Sequence, residues 1–221
     1  MIRVDSATKR RVTRQWQQVL PEFDAWRPMR FLRRVGPVLQ GVTLDMASTG
    51  TEFYPTAHIH PLTMDFPVVS LMLARRLAGL SGGQERVSIH ADGGTVESAA
   101  ERLRDQSPLP LDRNPSMEEI VGEFRRFLDA APTAKYGPIP ESEQLILIAG
   151  YSSPSELAAQ IEYVDRLSRS WSSIPAGYET ATSWLENLVE RASNPTALQE
   201  LVATQAAHLK VERVGGTEVF G

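Results

Sequence analysis

The segment VLQGVTLDM, within residues 36–47, decides the fold class because its apolar side chains recur at alternate positions. The apolar residues that share one strand face are Val38, Val42, Leu44 and Met46. A polar turn at 48–51 follows, and residues 52–60 alternate again, so the pair predicts an antiparallel hairpin. Pro55 lacks an amide hydrogen, and we therefore expect the second strand to lie at a sheet edge or to be interrupted there.

Two further strands are predicted later in the sequence than this hairpin. Residues 85–90 alternate, and residues 144–150 (QLILIAG) form an unbroken apolar run that is typical of a buried strand. Residues 65–79 begin with Asp-Phe-Pro, a helix-start pattern, and predict a buried helix. Because strands and helices do not alternate regularly, we expect an α+β fold, with a small antiparallel sheet packed by several amphipathic helices.

The domain organisation is predicted to be a single α+β domain over residues 1–221. The segment 107–115 holds three prolines in nine residues and is the one candidate for a sub-boundary. Ser116 and Glu119 have the spacing of a capping box, which predicts that a helix begins directly after this segment.

Composition excludes several function classes. The 221 residues include no cysteine, so disulfides, thiolate metal sites and a cysteine nucleophile are ruled out. No apolar stretch of signal-peptide length follows the first residues, and no apolar run approaches the length of a membrane helix, so we expect a soluble cytoplasmic protein without membrane association. Arginine outnumbers lysine 20 to 3, a bias typical of GC-rich genomes that favours a bacterial source.

The pair His58 and His60 is the strongest candidate for chemistry. Alternate strand positions place both imidazoles on one face, about 6–7 Å apart, a spacing that suits two ligands of one metal ion. Asp65 or His90 would have to complete the site of a metal-dependent enzyme. The competing and favoured interpretation is an exposed polar strand face.

Other catalytic signals are weak. The sequence LSGGQ at 80–84 resembles the signature motif of ABC-transporter ATPases, but no lysine follows a glycine, so the accompanying P-loop is missing. We interpret these residues as a glycine turn between elements. The sequence also lacks GxSxG and GxGxxG patterns, and no cofactor is predicted.

Charge is distributed unevenly along the chain. The net charge is −4, but residues 1–34 carry nine basic and three acidic groups, a local net charge of +6, against −10 for the remainder. We expect either the basic N-terminal face or an acidic helical face to contact a partner. The residues predicted to do so are Arg10, Arg14, Arg30, Arg33 and Arg34, and on the acidic side Glu179, Glu186 and Glu190.

These observations favour a non-enzymatic protein-interaction module, with an immunity-like, regulatory or assembly role, and leave room for a homodimer. One alternative is the metal-dependent enzyme that uses His58 and His60. Another is a nucleic-acid binder through Arg27–Arg34, where arginines alternate with aromatic residues. The acidic remainder of the chain disfavours nucleic acid.

Overall fold

The computed structural model describes residues 4–130, 138–171, 173 and 175–217. The described helices are α1 (Ser6–Val19), α2 (Gly93–Gln106), α3 (Met117–Ala130), α4 (Ile139–Ser152), α5 (Pro154–Ser168), α6 (Ala181–Ala192) and α7 (Pro195–Leu209). The described strands are β1 (Asp24–Arg27), β2 (Arg30–Val35), β3 (Val38–Met46), β4 (Glu52–Pro61), β5 (Met72–Arg76), β6 (Val87–Ser88) and β7 (Gly216–Thr217). The architecture is α+β, as predicted. No helix in the described ranges is long and apolar enough to cross a membrane.

The β3–β4 hairpin is the centre of the sheet, and its prediction is confirmed. Val38 lies opposite Pro61, and Met46 lies opposite Phe53. The strands follow the order β1-β2-β3-β4-β5, all antiparallel, while β6 pairs with the start of β4 and β7 pairs in parallel with β2. β1 and β5 are therefore the two edges of this five-strand path.

Pro55 lies in β4, which is an interior strand because it pairs with both β3 and β5. β4 also continues through Pro55 without a break, so neither expectation is correct for the strand, and only its pairing on the side away from β3 changes there. β6 pairs with β4 before Pro55 and β5 pairs with it after Pro55. The Leu77 amide donates to the Pro55 carbonyl, at 2.9 Å, on the side where the partner strand changes. The N–H and C=O groups of one strand residue face the same side. The amide hydrogen that Pro55 lacks would therefore point to the place where the partner of β4 changes from β6 to β5.

The sheet is covered on both faces, whereas the sequence predicted one polar face. Phe31 and Leu32 are neighbours in β2 and therefore point to opposite faces. Phe31 packs with Trp16 of α1 in one apolar cluster, and Leu32 packs with Val202 of α7 in another. A third cluster joins the end of the sheet to α3, α4, α5 and α6, and it includes Val35.

The predicted strand at 144–150 is wrong, because these residues form the middle of α4. Residues 145–149 have no exposed surface, and α4 contacts α3, α5, α6 and α7. A helix surrounded on all sides has no polar face, so its sequence lacks the 3.6-residue period that would identify it. Gly150 lets α4 approach the backbone of α6 closely, since a Cβ at position 150 would lie 2.3 Å from the Ala192 carbonyl oxygen.

The predicted helix at 65–79 is also wrong. Asp65 caps no helix but accepts a hydrogen bond from Gln205 Nε2 at 2.8 Å, and the chain then continues as a loop into β5. The apolar residues within 65–79 did not distinguish a helix from a strand, because short buried strands and buried helices share the same composition. The strand predicted at 85–90 is reduced to the two residues of β6.

The connecting segments agree better with the sequence. Ser116 and Glu119 form the reciprocal hydrogen bonds of the predicted capping box. In the Pro-rich segment 107–115, Leu109 packs in the cluster of α3 and α4, and Leu111 in the cluster of α1 and α2. Residues 80–84 form the expected turn, with positive φ angles at two glycines.

Candidate functional site

His58 and His60 lie on the same face of β4, as predicted, but inside the protein. Their side chains are 3% and 0% exposed, because α7 and the loop after β4 cover this face. The expectation of an exposed polar strand face is therefore wrong. Gly41, opposite His58 on β3, leaves the room that the buried imidazole occupies.

Each of the two rings contacts one neighbouring polar residue. Thr43 Oγ1 lies 3.1 Å from His58 Nε2. His60 Nδ1 accepts the Ser70 backbone N–H at 2.9 Å, so the ring proton is on Nε2. Burial lowers the pKa of His60 to about 4. Burial, and then electrostatic interaction with His60 and Arg30, lower the pKa of His58 to about 3.

The other expected metal ligands do not join them. Within the described residues, no group of three or more His, Asp or Glu side chains is placed to hold a metal ion. Asp65 is bonded to Gln205, and His90 is exposed after β6.

A second polar cluster lies between β5 and α3. Gln40, Arg75 and Glu123 line a cavity of about 10 Å³, which has room for roughly one water molecule. Burial raises the pKa of Glu123, while Arg75 Nη2 lies 3.8 Å from Oε1 and Arg126 pairs with Oε2. A cavity of this size holds no substrate larger than water.

Arg33, predicted to contact a partner, is only 2% exposed and lies in the core. Its Nε and Nη2 donate to Gln40 Oε1 at 2.9 and 2.6 Å, and Nη2 also donates to the Pro110 carbonyl at 2.6 Å. The guanidinium is 4.4 Å from the centre of the Phe23 ring. Burial lowers the pKa of Arg33 to about 10, an effect that Glu22 and Asp112 partly offset. Arg33 thus fastens the Pro-rich segment to the sheet and is unavailable at the surface.

The predicted acidic residues Glu179, Glu186 and Glu190 are exposed on and just before α6. Glu190 lines an open groove of about 410 Å³ between α6 and α7, together with Arg191. The groove therefore carries both charges, and of the three acidic residues Glu190 alone lines it.

Two of the five predicted basic residues, Arg10 and Arg14, line a single groove. This groove of about 350 Å³ runs between α1 and the β1–β2 hairpin. Its lining residues are Arg10, Thr13, Arg14, Ala25, Trp26, Arg27 and Pro28. Arg30 pairs with Arg27 across the turn but does not line this groove, and it acts electrostatically on His58. Arg34 is half-buried and donates to the Gly36 carbonyl, away from this groove.

The walls of the groove are held in place by specific bonds. Thr13 Oγ1 donates to the Lys9 carbonyl and accepts the Met29 N–H at 2.8 Å, where Met29 has a positive φ of 65°. Trp26 Nε1 donates to the Lys210 carbonyl at 3.1 Å. These bonds connect the turn to α1 and β1 to the chain after α7, so the groove is formed before any partner binds.

The arginines of the groove lack counter-ions. In the described part of the chain, Arg10, Arg14 and Arg27 have no carboxylate within 4.0 Å, whereas Arg76, Arg102 and Arg113 do. Arg27 instead lies over the Trp26 ring, 4.0 Å from its centre. Sequence reasoning missed Thr13 and Pro28 as parts of this site, because only the fold brings α1 beside the turn. No protein family, curated protein or solved structure is detectably similar to this chain.

Proposed function

We propose that the protein is a non-enzymatic interaction module, with a regulatory or assembly role, that binds an acidic segment of a partner protein in the basic groove. The observation that carries the proposal is the convergence of Arg10, Arg14 and Arg27 on one preformed groove without a carboxylate. Like charges held close together repel one another. An acidic segment would relieve this repulsion, and complementary charge would also accelerate its association.

A protein partner is favoured over nucleic acid for two reasons. Single-stranded nucleic acid binds to free aromatic faces on which bases stack, but one face of Trp26 is already covered by Arg27. The chain outside residues 1–34 has a net charge of −10, which repels a long polyanion. A short acidic protein segment touches only the basic groove and avoids most of that repulsion.

The test is an NMR titration of ¹⁵N-labelled protein with the capped peptide Thr-Glu-Val-Glu-Val-Glu-Thr. We expect the Trp26 indole signal to shift, while the indole signals of buried Trp16 and Trp184 stay in place. The variant R10E/R14E should weaken binding by at least about tenfold, because both attractions become repulsions. Added salt should weaken binding to the unaltered protein.

The matched control is R191E/R213E, which makes the same change of charge at exposed positions outside the groove. Binding retained by this variant and lost by R10E/R14E supports the proposal. Equal loss in both variants contradicts it, because the effect would then follow net charge alone. Tighter binding of an oligothymidylate than of the peptide would also overturn it in favour of nucleic acid.

A further inference from the structure

We propose that the acidic segment binds as an extended β-strand that adds to the free edge of β1. This inference rests on the proposed function and specifies the backbone conformation of the partner. The groove follows the edge of the sheet, since three consecutive residues of β1, Ala25, Trp26 and Arg27, all line it. A ligand in the groove therefore lies along the strand.

The edge of β1 is open. Within the described residues, β1 pairs with β2 alone and is the terminal strand of the sheet. Its residues are exposed, apart from half-buried Trp26. An exposed edge carries unpaired N–H and C=O groups, which are the groups that an added strand pairs with.

α1 lies beside this edge and runs in the opposite direction to β1. Thr13 bonds to Met29 after the strand, and Gln17 Nε2 donates to the Phe23 carbonyl, at 2.6 Å, before it. The helix therefore accompanies the whole strand, and its exposed arginines flank the edge.

The spacing of those arginines suits a strand. Arg10 and Arg14 are one helical turn apart, about 6 Å along the axis. Alternate residues of an extended strand, which point to the same side, are about 6.7 Å apart. Two carboxylates at alternate positions of the ligand therefore match both guanidiniums. The four residues of β1 limit the paired length to roughly 13 Å.

A second copy of this chain is a poorer occupant than an acidic segment. Pairing of two β1 edges about a two-fold axis would bring together Arg10, Arg14 and Arg27 of both copies, against a single carboxylate, Asp24, from each strand. Arginine at the edge thus selects against self-association and for a negatively charged strand.

The test uses backbone N-methylation, which removes hydrogen-bond donors without changing charge. In an added strand, alternate N–H groups face β1 and the others face away. We compare the parent Thr-Glu-Val-Glu-Val-Glu-Thr peptide with one form methylated at its glutamates and one methylated at its valines. One form should lose at least about tenfold in affinity and the other should bind like the parent.

The outcomes separate the two proposals. Equal affinity of both methylated forms and the parent overturns strand addition but leaves the acidic-partner proposal intact, provided that R10E/R14E still weakens binding. Insensitivity of the parent peptide to R10E/R14E overturns the proposed function itself. A dimer that sedimentation detects, and that R10E/R14E strengthens, would show instead that the edge pairs with a second copy.

Discussion

Gly41 lies directly against the ring of His58: a Cβ at position 41 would be 2.5 Å from both Cε1 and Nε2 of that imidazole. The two residues are opposite each other in the β3–β4 register. The central hairpin therefore accommodates a large buried side chain on one strand only because its neighbour has none.

The first prediction concerns this packing. Gly41→Ala should lower the free energy of unfolding by about 1–3 kcal/mol, because neither the sheet backbone nor the buried ring can move away easily. Urea denaturation measures the change. The matched control is Gly122→Ala in α3, where a Cβ meets nothing within 4 Å; there alanine should stabilise by about 0.5–1 kcal/mol through helix propensity. Equal stability of the G41A and unaltered proteins would contradict the described position of His58.

The buried histidines predict a loss of stability in acid. Their folded pKa values, about 3 for His58 and about 4 for His60, lie below the ordinary value of 6.5. Below pH 6.5 the unfolded chain binds protons that the folded protein does not, so stability decreases as pH falls. The loss approaches about 1.4 kcal/mol per pH unit per histidine and ends near the folded pKa values. Glu123, with its raised pKa, contributes with the opposite sign.

The measurement is the slope of unfolding free energy against pH between about 6.5 and 5, where most carboxylates remain ionised. His60→Ala should reduce the slope whatever it does to absolute stability. A slope that His60→Ala does not alter would contradict the lowered pKa of His60 in the folded protein.

Thr13 links the stability of the groove wall to its binding function. Thr13→Val keeps the shape of the side chain but removes the acceptor of the Met29 N–H, and we expect destabilisation of about 1–2 kcal/mol. Binding of the acidic peptide should also weaken, because the turn that carries Arg27 and Pro28 loses its attachment to α1. Thr13→Ser keeps the hydroxyl and should retain both properties. If valine and serine behave alike in the titration, the bond does not hold the groove in its binding form.

Arg33 and Gln40 should behave as a coupled pair. Arg33→Met leaves Gln40 Oε1 buried without its donors, which should cost about 1–3 kcal/mol. The double variant R33M/Q40L removes both polar partners, and its destabilisation should be smaller than the sum of the two single changes. A double-mutant cycle of unfolding free energies tests this, and strict additivity would rule out the coupling.

Local sequence patterns were sufficient to predict those features that depend on residues close together in the chain. The β3–β4 hairpin follows from period-two alternation, and the start of α3 follows from the capping box of Ser116 and Glu119. The excess of basic residues before position 35 is likewise a property of the chain alone. These features were predictable because adjacent side chains and the backbone between them determine them.

Burial was decided by the tertiary structure. Residues 144–150 form a helix because α4 is enclosed by four other helices, and that enclosure removes the periodicity from which a helix is recognised. His58, His60 and Arg33 have side chains typical of the surface, yet layers packed on both faces of the sheet enclose them.

The candidate site depended on the fold in the same way. Sequence alone identified Arg10 and Arg14 as members of a basic region, with Arg27 in a separate basic stretch. Only the packing of α1 along β1 brings these three guanidiniums to one groove and leaves Arg33 in the core. Charge composition is determined by the sequence, whereas the convergence of charges requires residues distant in the chain to meet in the fold.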